Sequence, residues 1–257
     1  MDLPGKRVLV TGAAGGLGEV SARALAERGA TLILTSRNRE KLEQIAASLP
    51  GEGHQTIAAD LLADGAVERV IEQAGEIDVL LANAGQPGRW ALDELSADEV
   101  RDVIRINLEV PVQMTRLVIA QMRRRGSGQI VLVASLAGKF AMPESTMYCS
   151  TKAGLRAFAW SLRPEMARAG VGVTLISPGF VGEVGMFAKR GAKPPPGAGV
   201  VSPRRYTREL VRAIERNRAE AVIAPPQLRL LGQLALVLPG LFARLFKRIS
   251  PRRPARQ

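Results

Sequence analysis

Residues 7–18 read RVLVTGAAGGLG and decide the fold class. An apolar run of strand length ends here in a glycine-rich turn that opens a helix. Glycines let the backbone turn sharply and approach a pyrophosphate, whose charge is stabilised by amides at the helix N-terminus. The turn lacks the Gly-Lys-Ser/Thr ending of a phosphoryl-transfer loop. Its position after the first strand favours a dinucleotide site over a plain tight connection.

Apolar runs and helical patterns alternate along the rest of the chain. Further runs of strand length occupy residues 31–34, 55–58, 77–81, 129–133, 171–176 and 221–224. Apolar residues recur at the three- and four-residue spacing of helices over residues 17–28, 39–48, 65–74, 96–124, 146–169 and 203–218. Parallel strands need connections long enough to hold a helix. The alternation therefore predicts an α/β protein with a Rossmann-type, doubly wound sheet of about seven parallel strands.

Two segments depart from this alternation. Residues 189–199, KRGAKPPPGAG, have the proline and glycine content of a surface loop. From residue 227 the chain becomes basic, with apolar residues at helical spacing. We therefore predict a dinucleotide-binding domain over residues 1–226 and a C-terminal tail over residues 227–257.

Composition excludes several classes of protein. With 46% apolar and 23% charged residues, the chain has the make-up of a globular protein. Cys149 is the only cysteine, so one chain forms neither a disulfide nor a cysteine metal cluster, and no metal site is predicted. The N-terminal residues lack the long apolar region of a secretory signal. These features predict a cytoplasmic protein.

A net charge of +12 attracts polyanions without selectivity. Arg123, Arg124 and Arg125 stand directly before Gly126, where cations at a helix C-terminus interact favourably with the backbone dipole. This position favours structural capping over contact with DNA or RNA. No nucleic-acid partner is predicted.

The end of the second strand bears on cofactor choice. A site that selects NAD usually carries an acidic residue here for the ribose hydroxyls, and such a residue would repel a 2′-phosphate. This chain has Ser36 and Arg37 instead. A guanidinium donates two parallel hydrogen bonds to phosphate, so we predict that NADP(H) is preferred, with NAD(H) left open. The alternative is a solvated arginine at a helix start.

Ser135, Tyr148 and Lys152 are the candidate reactive side chains. Tyr148 and Lys152 are four residues apart in the segment YCSTK, so a helix places them on one face. Free tyrosine has a pKa of about 10, and a neighbouring cation favours the phenolate, which brings the group towards the acid/base range at neutral pH. The spacing alone is common on surface helices.

These motifs together resemble those of the short-chain dehydrogenase/reductase family over about residues 5–225. TGAAGGLG at residues 11–18 matches the TGxxxGxG turn of that family, ANAG at 82–85 resembles its NNAG, and SPG at 177–179 matches the segment after its sixth strand. The catalytic set matches in order and spacing, with Asn107 where the family has its active-site asparagine.

The resemblance implies an oxidoreductase that moves a hydride between NADP(H) and a ketone, an aldehyde or a secondary alcohol. Tyr148 would be the general acid in reduction and the base in oxidation, and Ser135 would hydrogen-bond the substrate oxygen. Lys152 would hold the nicotinamide ribose and lower the pKa of Tyr148, while Asn107 would link Lys152 to solvent through an ordered water. The alternative is a non-catalytic NADP(H)-binding regulator or membrane-associated scaffold. The presence of Ser135, Tyr148 and Lys152 together argues against this alternative.

The resemblance also implies a set of cofactor contacts. Asp60 would contact the adenine, and Asn83 would support the central sheet near the cofactor. The full set is Thr11, Gly12, Gly16, Leu17, Gly18, Ser36, Arg37, Asp60, Leu61, Asn83, Ala84, Gly85, Tyr148, Lys152, Pro178, Gly179 and Val181.

Two positions depart from the family pattern. Ala82 replaces the first asparagine of NNAG, at little expected cost because Asn83, Ala84 and Gly85 are intact. Glu183 stands where the family often has a threonine that contacts the nicotinamide or its phosphates. We expect Glu183 to point away from the pyrophosphate, with the loop following its own path.

Several apolar residues fall in segments that line the substrate cleft of relatives, including a substrate loop at about 180–202. They imply an apolar substrate pocket, although each could equally belong to the core. These residues are Trp90, Phe140, Met142, Met147, Phe180, Met186 and Phe187. If the C-terminal tail contacts a membrane, a lipid-like substrate is expected. Cys149 is interpreted as an apolar filler and His54 as a solvated loop residue.

The tail has an uncharged stretch of 14 residues, from Leu230 to Ala243, which is short of the roughly 20 needed to span a bilayer. Beyond Pro239, apolar residues fall on one helical face and cations elsewhere, which suits an anionic membrane surface and a peripheral location at the inner membrane face. The apolar residues are Leu241, Phe242, Leu245, Phe246 and Ile249, and the cations are Arg244, Lys247 and Arg248. The alternative is a helix that covers the cleft of its own protomer or packs on a second subunit.

By the same resemblance, the chain is expected to form a homodimer or homotetramer through the helices that contain Asn107 and Tyr148.

Overall fold

A single parallel sheet organises the computed structural model, which describes residues 1–87, 91–140, 142, 144–184 and 198–249, with the backbone alone for residues 245–249. Its strands are β1 (Arg7–Thr11), β2 (Thr31–Ser36), β3 (Gln55–Ala58), β4 (Val79–Ala82), β5 (Gly128–Val133), β6 (Val171–Pro178) and β7 (Glu220–Ile223). The order across the sheet is β3-β2-β1-β4-β5-β6-β7, and every neighbouring pair is parallel. The predicted seven-stranded α/β fold is confirmed.

Helices connect the strands and cover the sheet. The helices are α1 (Gly16–Ala26), α2 (Arg39–Ser48), α3 (Ala66–Ala74), α4 (Ala97–Ile104), α5 (Val110–Arg125), α6 (Thr146–Ala167), α7 (Pro203–Glu215), α8 (Pro226–Val237) and α9 (Pro239–Ile249). A crossover helix is the usual way to join parallel strands, because the chain must return to the same end of the sheet.

The core lies in two layers, one on each face of the sheet. Along β1, Val8 and Val10 pack in one layer with α1 and α7, whereas Leu9 packs in the other with α5 and α6. Successive side chains of a strand point to opposite faces, so a strand covered on both sides reads as a continuous apolar run. The central strands could therefore be predicted from the apolar runs of the sequence.

The position of the site follows from the strand order. Connections run outward in one direction from β1 to β3 and in the other from β4 to β7, so the order reverses between β1 and β4. In open α/β sheets, ligands bind in the crevice outside the carboxyl ends of the strands at such a reversal. The glycine turn follows β1 directly, at this point.

The predicted helix over residues 96–124 is interrupted. Helix α4 ends at Ile104, and a single π-helical turn over Arg105–Glu109 joins it to α5. The extra residue in a π turn changes which side chains face inward, and such turns are frequent at functional sites. Asn107 lies in this turn and is fully buried.

His54 lies in a loop, as interpreted, but its ring is held by the protein rather than free in solvent. Its Nδ1 accepts a hydrogen bond from the Leu32 backbone N–H at 3.1 Å, and its Nε2 lies 3.1 Å from the carbonyl oxygen of Pro50. The ring is half-buried and joins the loop before β3 to the start of β2. A partner 22 residues away left no local signal in the sequence.

The tail packs on its own protomer through one side of α8 and α9. Ala235 and Phe242 belong to a small apolar cluster with Leu136 and Phe140, and the rings of Phe140 and Phe242 lie 6.5 Å apart between centroids. Leu241, which was predicted to share a face with Phe242, is exposed. The side chains of Leu245, Phe246 and Ile249 lie outside the described residues. Within the described part of the chain, no helix combines the length and apolarity that crossing a bilayer requires.

Tyr206 is a testable element of the core. It is fully buried where α7 packs on α1, its hydroxyl lies 3.5 Å from Ser21 Oγ, and burial raises its pKa to about 12. Tyr206→Ala should cost about 3–5 kcal/mol in the free energy of unfolding, because it opens a large cavity. Tyr206→Phe keeps the ring and should cost about 1 kcal/mol.

Tyr206 should also make the stability of the folded protein fall at alkaline pH. Between pH 10 and about 12 the unfolded chain releases the Tyr206 proton while the folded chain retains it, so stability is lost as the pH rises through this window. Urea titrations at neutral pH and above pH 10 should show a smaller alkaline loss for Tyr206→Phe than for the wild type. Equal losses would contradict the assignment.

Candidate active site

Thr11 holds the glycine turn against the loop that follows β4. Its Oγ1 accepts hydrogen bonds from the backbone N–H groups of Asn83 and Ala84 at 3.0 and 2.9 Å, and Asn83 Nδ2 donates to the Thr11 carbonyl at 2.9 Å. Gly12 has a φ of +64°, and a Cβ there would lie 2.9 Å from Ala84 Cα. The contact therefore requires glycine and fixes the two strand ends side by side.

Asn107 joins the π turn to the segment that follows Gly85. Its Oδ1 accepts from the Gln86 N–H at 3.0 Å, and its Nδ2 donates to the Gln86 carbonyl at 2.8 Å. A Cβ on Gly85 would lie 2.7 Å from Asn107 Oδ1 and 3.5 Å from Lys152 Nζ. Gly85, Asn107 and Lys152 are thus brought together from three separate parts of the sequence.

Lys152 is buried on α6, one turn after Tyr148. Its Nζ donates to the Val133 carbonyl at 2.9 Å and lies 5.7 Å from the centroid of the Tyr148 ring. Burial lowers the pKa of Lys152 from 10.5 to about 8, because removal from water penalises the charged form. Lys152 is therefore an ammonium at neutral pH, close to the point where it titrates.

Ser135 lies just beyond β5, where a short 3-10 turn begins. Its Oγ accepts from the Ala137 N–H at 3.1 Å and lies 3.5 Å from the carbonyl oxygen of Pro178 at the end of β6. Val133, which receives the Lys152 hydrogen bond, stands two residues earlier. The serine and the lysine are both positioned by the carboxyl end of β5.

This arrangement has a counterpart among known proteins. A model of the short chain dehydrogenase family matches residues 6–195, which include the glycine turn and the candidate reactive residues. The chain belongs to the short-chain dehydrogenase/reductase family. Members of this family are oxidoreductases that act on small molecules with a nicotinamide cofactor.

Individual relatives agree with this membership. The ketoacyl reductase HetN of Nostoc sp. is 34% identical over 227 residues, covering 86% of this chain and 79% of HetN. The dehydrogenase/reductase SDR family member 7B of Bos taurus is 32% identical over 257 residues, covering 93% of this chain and 79% of the relative. The crystal structure of a short-chain dehydrogenase from Streptomyces avermitilis is 28% identical, with a TM-score of 0.78, and the match covers 96% of this chain and 98% of that one.

In this member of the short-chain dehydrogenase/reductase family, the predicted adenine side of the crevice lies after β2 and β3. Arg37 and Asp60 are exposed and Leu61 is buried. The Oγ of Ser36 accepts from the Asn38 N–H at 3.3 Å, and the Oδ1 of Asp60 accepts from the Leu62 N–H at 3.1 Å. Both hydrogen bonds are local, so they shape the turns on which these side chains stand.

The segment after β6 closes over the glycine turn. A Cβ on Gly16 would lie 1.8 Å from the Val184 carbonyl oxygen, so this close approach requires glycine at position 16. Glu183 is exposed, with a φ of +65°. The Gly179 N–H donates to the Ile223 carbonyl at 3.0 Å, which ties Pro178-Gly179 to β7.

Backbone hydrogen bonds close the base of the predicted substrate loop. The Val201 N–H donates to the Phe180 carbonyl at 2.8 Å, and the Gly182 N–H donates to the Val201 carbonyl at 3.0 Å. Val181 and Val201 are both buried at this bridge. Residues 185–197 of the loop lie outside the described residues.

The residues at the crevice fit a nicotinamide dinucleotide. The glycine turn stands at the start of α1, where backbone amides stabilise anionic groups. Gly12 and Gly85 leave no room for a Cβ, and a buried ammonium lies beside Gly85. Among the residues described, no three His, Cys, Asp or Glu side chains are grouped closely enough to hold a metal ion.

The apolar candidates for the substrate pocket divide into three groups. Phe140 and Met142 belong to the cluster that α8 and α9 cover. Met147 and Phe180 are half-buried. Trp90, Met186 and Phe187 lie outside the described residues.

Cys149 is buried, and burial raises the pKa of its thiol, as expected of an apolar filler rather than a nucleophile.

Sequence reasoning missed a buried ion pair beside the site. Lys139, four residues after Ser135, has its Nζ 2.9 Å from Glu220 Oε1, and both side chains are nearly inaccessible to solvent. Ser177 Oγ donates to the same carboxylate at 2.7 Å. The pair fixes the Ser135 segment to β6 and β7. Its partners are 81 positions apart, so no motif or spacing could have indicated it.

Proposed function

We propose that this chain is an NADP(H)-dependent reductase of ketones or aldehydes, or the reverse alcohol dehydrogenase, with Tyr148 as general acid/base. The burial of the Lys152 ammonium beside Tyr148, Asn107 and Gly85 supports this most directly. An ammonium has three donors, and Lys152 uses one of them, towards Val133, among the described residues. Burying a cation with unused donors is costly. In the proposed complex, the ribose of the cofactor and the developing Tyr148 phenolate accept the remaining hydrogen bonds of Lys152 and offset this cost.

The proposed reaction adds a hydride to the carbonyl carbon and a proton to the carbonyl oxygen. The bound dinucleotide supplies the hydride. Ser135 donates a hydrogen bond to the carbonyl oxygen as negative charge develops there, and Tyr148 then gives that oxygen its proton. Lys152 stabilises the phenolate that remains, and Asn107 orders the water through which the proton is replaced. Alcohol oxidation follows the same steps in reverse.

Turnover can be tested without knowledge of the natural substrate. NADPH consumption should be followed against a panel of apolar ketones, aldehydes and long-chain acyl carbonyls, with NADPH binding measured separately by calorimetry. Oxidation of NADPH by at least one class of carbonyl is expected. Tight binding with no oxidation across the panel would instead favour a non-catalytic regulator or scaffold.

The preference for NADP(H) rests on Arg37. The chain has no carboxylate at the end of β2 to bind the ribose hydroxyls, and Arg37 is exposed there beside Ser36. Arg37→Asp removes a phosphate ligand and adds a repulsive charge, so the NADPH:NADH ratio of kcat/KM should fall about 100-fold or more. Arg69→Asp makes the same change in charge on the exposed side of α3 and should leave the ratio unaltered. Equal ratios for Arg37→Asp and the wild type would refute this assignment.

The proposed substrate is apolar or lipid-like. Phe140 and Met142, five and seven residues after Ser135, belong to one apolar cluster with Leu136, the residue that directly follows Ser135. The name of the Nostoc relative, a ketoacyl reductase, also suits a carbonyl carried on an acyl chain. Activity that rises with the chain length of a ketone series is expected. Equal kcat/KM for short and long ketones would exclude an apolar pocket.

Two partners complete the proposal. One is an anionic membrane surface in contact with the C-terminal tail. The other is a second copy of the chain, in a homodimer or homotetramer joined through the helices that contain Asn107 and Tyr148, where Ile104 and Trp160 are exposed apolar residues. Light scattering should show that Trp160→Glu shifts the wild-type oligomer towards a smaller species. An unchanged mass would exclude α6 from the interface.

A further inference from the structure

Helix α8 is apolar on two opposite sides. Its inner side is buried, and a Cβ on Gly232 would lie 3.0 Å from Leu136 Cδ1. On its outer side Leu230, Leu234 and Val237 follow one another at helical spacing and are 62%, 42% and 75% exposed. An amphipathic helix on a protein surface normally turns its polar residues outward. The outer side of α8 therefore has the composition of a contact surface.

The exposed apolar surface continues past the end of α8. Leu238 and Leu241 are 47% and 60% exposed at the start of α9. We call Leu230, Leu234, Val237, Leu238 and Leu241 the outer stripe. Single exposed leucines are ordinary, but a contiguous set of this kind marks an interaction site.

Cations flank the outer stripe. Residues 225–257 contain seven Lys and Arg residues and no Asp or Glu. Arg229, next to Leu230, and Arg244, one turn after Leu241, are both exposed. An exposed apolar surface with cations around it matches the chemistry of an anionic bilayer surface, where acyl chains lie beneath negatively charged headgroups.

An arginine-rich cavity adjoins the start of α8. It has a volume of about 330 Å³ and is lined by β7, by Arg205 and Arg208 of α7, by Arg218 and by Arg229. Because Arg229 lines the cavity and directly precedes the outer stripe, the two features are continuous. We call these four residues the arginine cavity.

The arginine cavity holds more positive than negative charge. Its two carboxylates belong to Glu209 and Glu220. Glu220 is paired with Lys139, and Glu209 is shared at 3.3–3.8 Å by Arg208, Arg212 and Arg218. Among the described residues, Arg205 and Arg229 have no carboxylate partner. Guanidinium groups bind phosphate with paired hydrogen bonds, so the cavity suits a phosphate group.

We propose that the outer stripe and the arginine cavity together dock this protein on an anionic lipid bilayer. The leucines of the stripe enter the boundary between headgroups and acyl chains, and the cavity takes a lipid phosphate. Nucleic acid would satisfy the cavity and leave the stripe in water. A second copy packed on this face would bring two strongly cationic tails together, at a cost in repulsion. A bilayer satisfies both features at once.

Docking in this way connects the membrane to the site. The inner side of α8 covers Leu136 and Phe140, which follow Ser135, while its outer side carries the stripe. One helix thus separates the bilayer from the wall of the proposed cleft. This consequence rests on the proposed reductase function, and it gives an apolar carbonyl a short path from lipid to Ser135 and Tyr148. Lipid docking itself does not depend on turnover.

The test is flotation of the full-length protein with phosphatidylcholine vesicles, with and without phosphatidylglycerol. The wild type should float with the anionic vesicles and not with the neutral ones, and high salt should weaken the binding. Leu230→Gln/Leu234→Gln/Val237→Gln should lower the affinity about 100-fold by removing three inserted apolar side chains. Arg205→Gln/Arg229→Gln should lower it about 30-fold. Leu92→Gln replaces a leucine of similar exposure outside the tail and should float like the wild type.

Several outcomes would overturn the proposal. These are equal flotation with neutral and anionic vesicles, no flotation at all, or wild-type flotation of the triple variant. A wild-type oligomer that the triple variant converts to monomers, without vesicle binding by either, would show that the stripe is a subunit contact. Tyr148→Phe should float normally, and the triple variant should keep wild-type kcat with a water-soluble ketone, so a failure of docking is distinguishable from a failure of the reductase assignment.

Discussion

Tyr148→Phe should reduce kcat by about 10²–10⁴-fold, the range that one positioned acid/base group contributes. The substitution keeps the ring that lies 5.7 Å from Lys152 Nζ and removes the hydroxyl alone. Because hydride transfer to a carbonyl leaves an alkoxide that needs a proton, the chemical step should fail while the dinucleotide still binds. Steady-state turnover and calorimetric titration with NADPH, measured on the same preparation, separate the two effects.

The chain provides its own control for this prediction. Tyr206 is the only other tyrosine, and Tyr206→Phe removes the same hydroxyl from a fully buried position between α1 and α7. Its kcat should match that of the wild type. If Tyr148→Phe retained more than about a tenth of wild-type kcat, or if both variants lost activity equally, the phenol of Tyr148 would not be the acid.

Lys152→Met should abolish nearly all turnover and yet stabilise the protein without cofactor. The lost ammonium removes a charge-assisted hydrogen bond, so affinity for NADPH should fall about 10- to 100-fold. The substitution also removes the cation that, in the proposed mechanism, stabilises the Tyr148 phenolate, so kcat should fall by about another 10². Titration calorimetry and single-turnover kinetics measure these two losses separately.

The gain in stability follows from burial. Between about pH 8 and pH 10.5 the unfolded chain keeps the Lys152 proton and the folded chain releases it, so wild-type stability rises with pH across this window by up to about 1.4 kcal/mol per pH unit. Below pH 8 the cost of the buried ammonium is fully present. Denaturant titrations at pH 7 should therefore show Lys152→Met to be more stable than the wild type, and its stability should change less between pH 8 and 10.5.

Affinity for the cofactor should fall as the pH rises, whereas the stability of the protein without cofactor should increase. In the proposed complex the ammonium form of Lys152 holds the ribose, so wild-type affinity for NADPH should weaken as the pH rises above about 8. Lys152→Met should lack this decline. An affinity that is constant across this range in the wild type would contradict a role for Lys152 in binding.

Lys139→Met is the matched control, because Lys139 is the other buried lysine among the described residues. Its Nζ is paired with Glu220, so its removal leaves a buried carboxylate without its cation and should cost about 3–5 kcal/mol. Two Lys→Met substitutions at buried positions should thus change stability in opposite directions. Destabilisation of similar size by both would show that burial does not penalise the Lys152 ammonium.

The sequence predicted most of the fold because the fold depends on local patterns. Each strand of a doubly wound sheet is covered on both faces and appears as a short apolar run, and each crossover has helical spacing. Predicted and observed strands agree within two residues, as in β4 (77–81 against Val79–Ala82) and β6 (171–176 against Val171–Pro178). The glycine turn and the Tyr148–Lys152 spacing are local as well.

The features that were missed depend on contacts between distant parts of the chain. The π turn contains Asn107, whose side chain forms two hydrogen bonds with the backbone of Gln86, 21 residues earlier. The Lys139–Glu220 pair and the approach of Val184 to Gly16 are longer in range still. In the tail, helical spacing predicted an amphipathic helix, but packing against Phe140 decided that Phe242 turns inward while Leu241 remains exposed. The periodicity of a sequence indicates that one face of a helix is apolar. It does not indicate which part of the protein packs against that face.

The most direct test of the proposed chemistry is to trace the two hydrogens. NADPH carrying deuterium at both C4 positions of the nicotinamide should be incubated with the wild type and a reducible apolar ketone, and the alcohol product analysed by mass spectrometry. One deuterium should be found on the carbinol carbon, with the hydroxyl hydrogen taken from solvent, and Tyr148→Phe should yield almost no product under the same conditions. An alcohol without deuterium, or equal yields from both proteins, would contradict hydride transfer assisted by Tyr148.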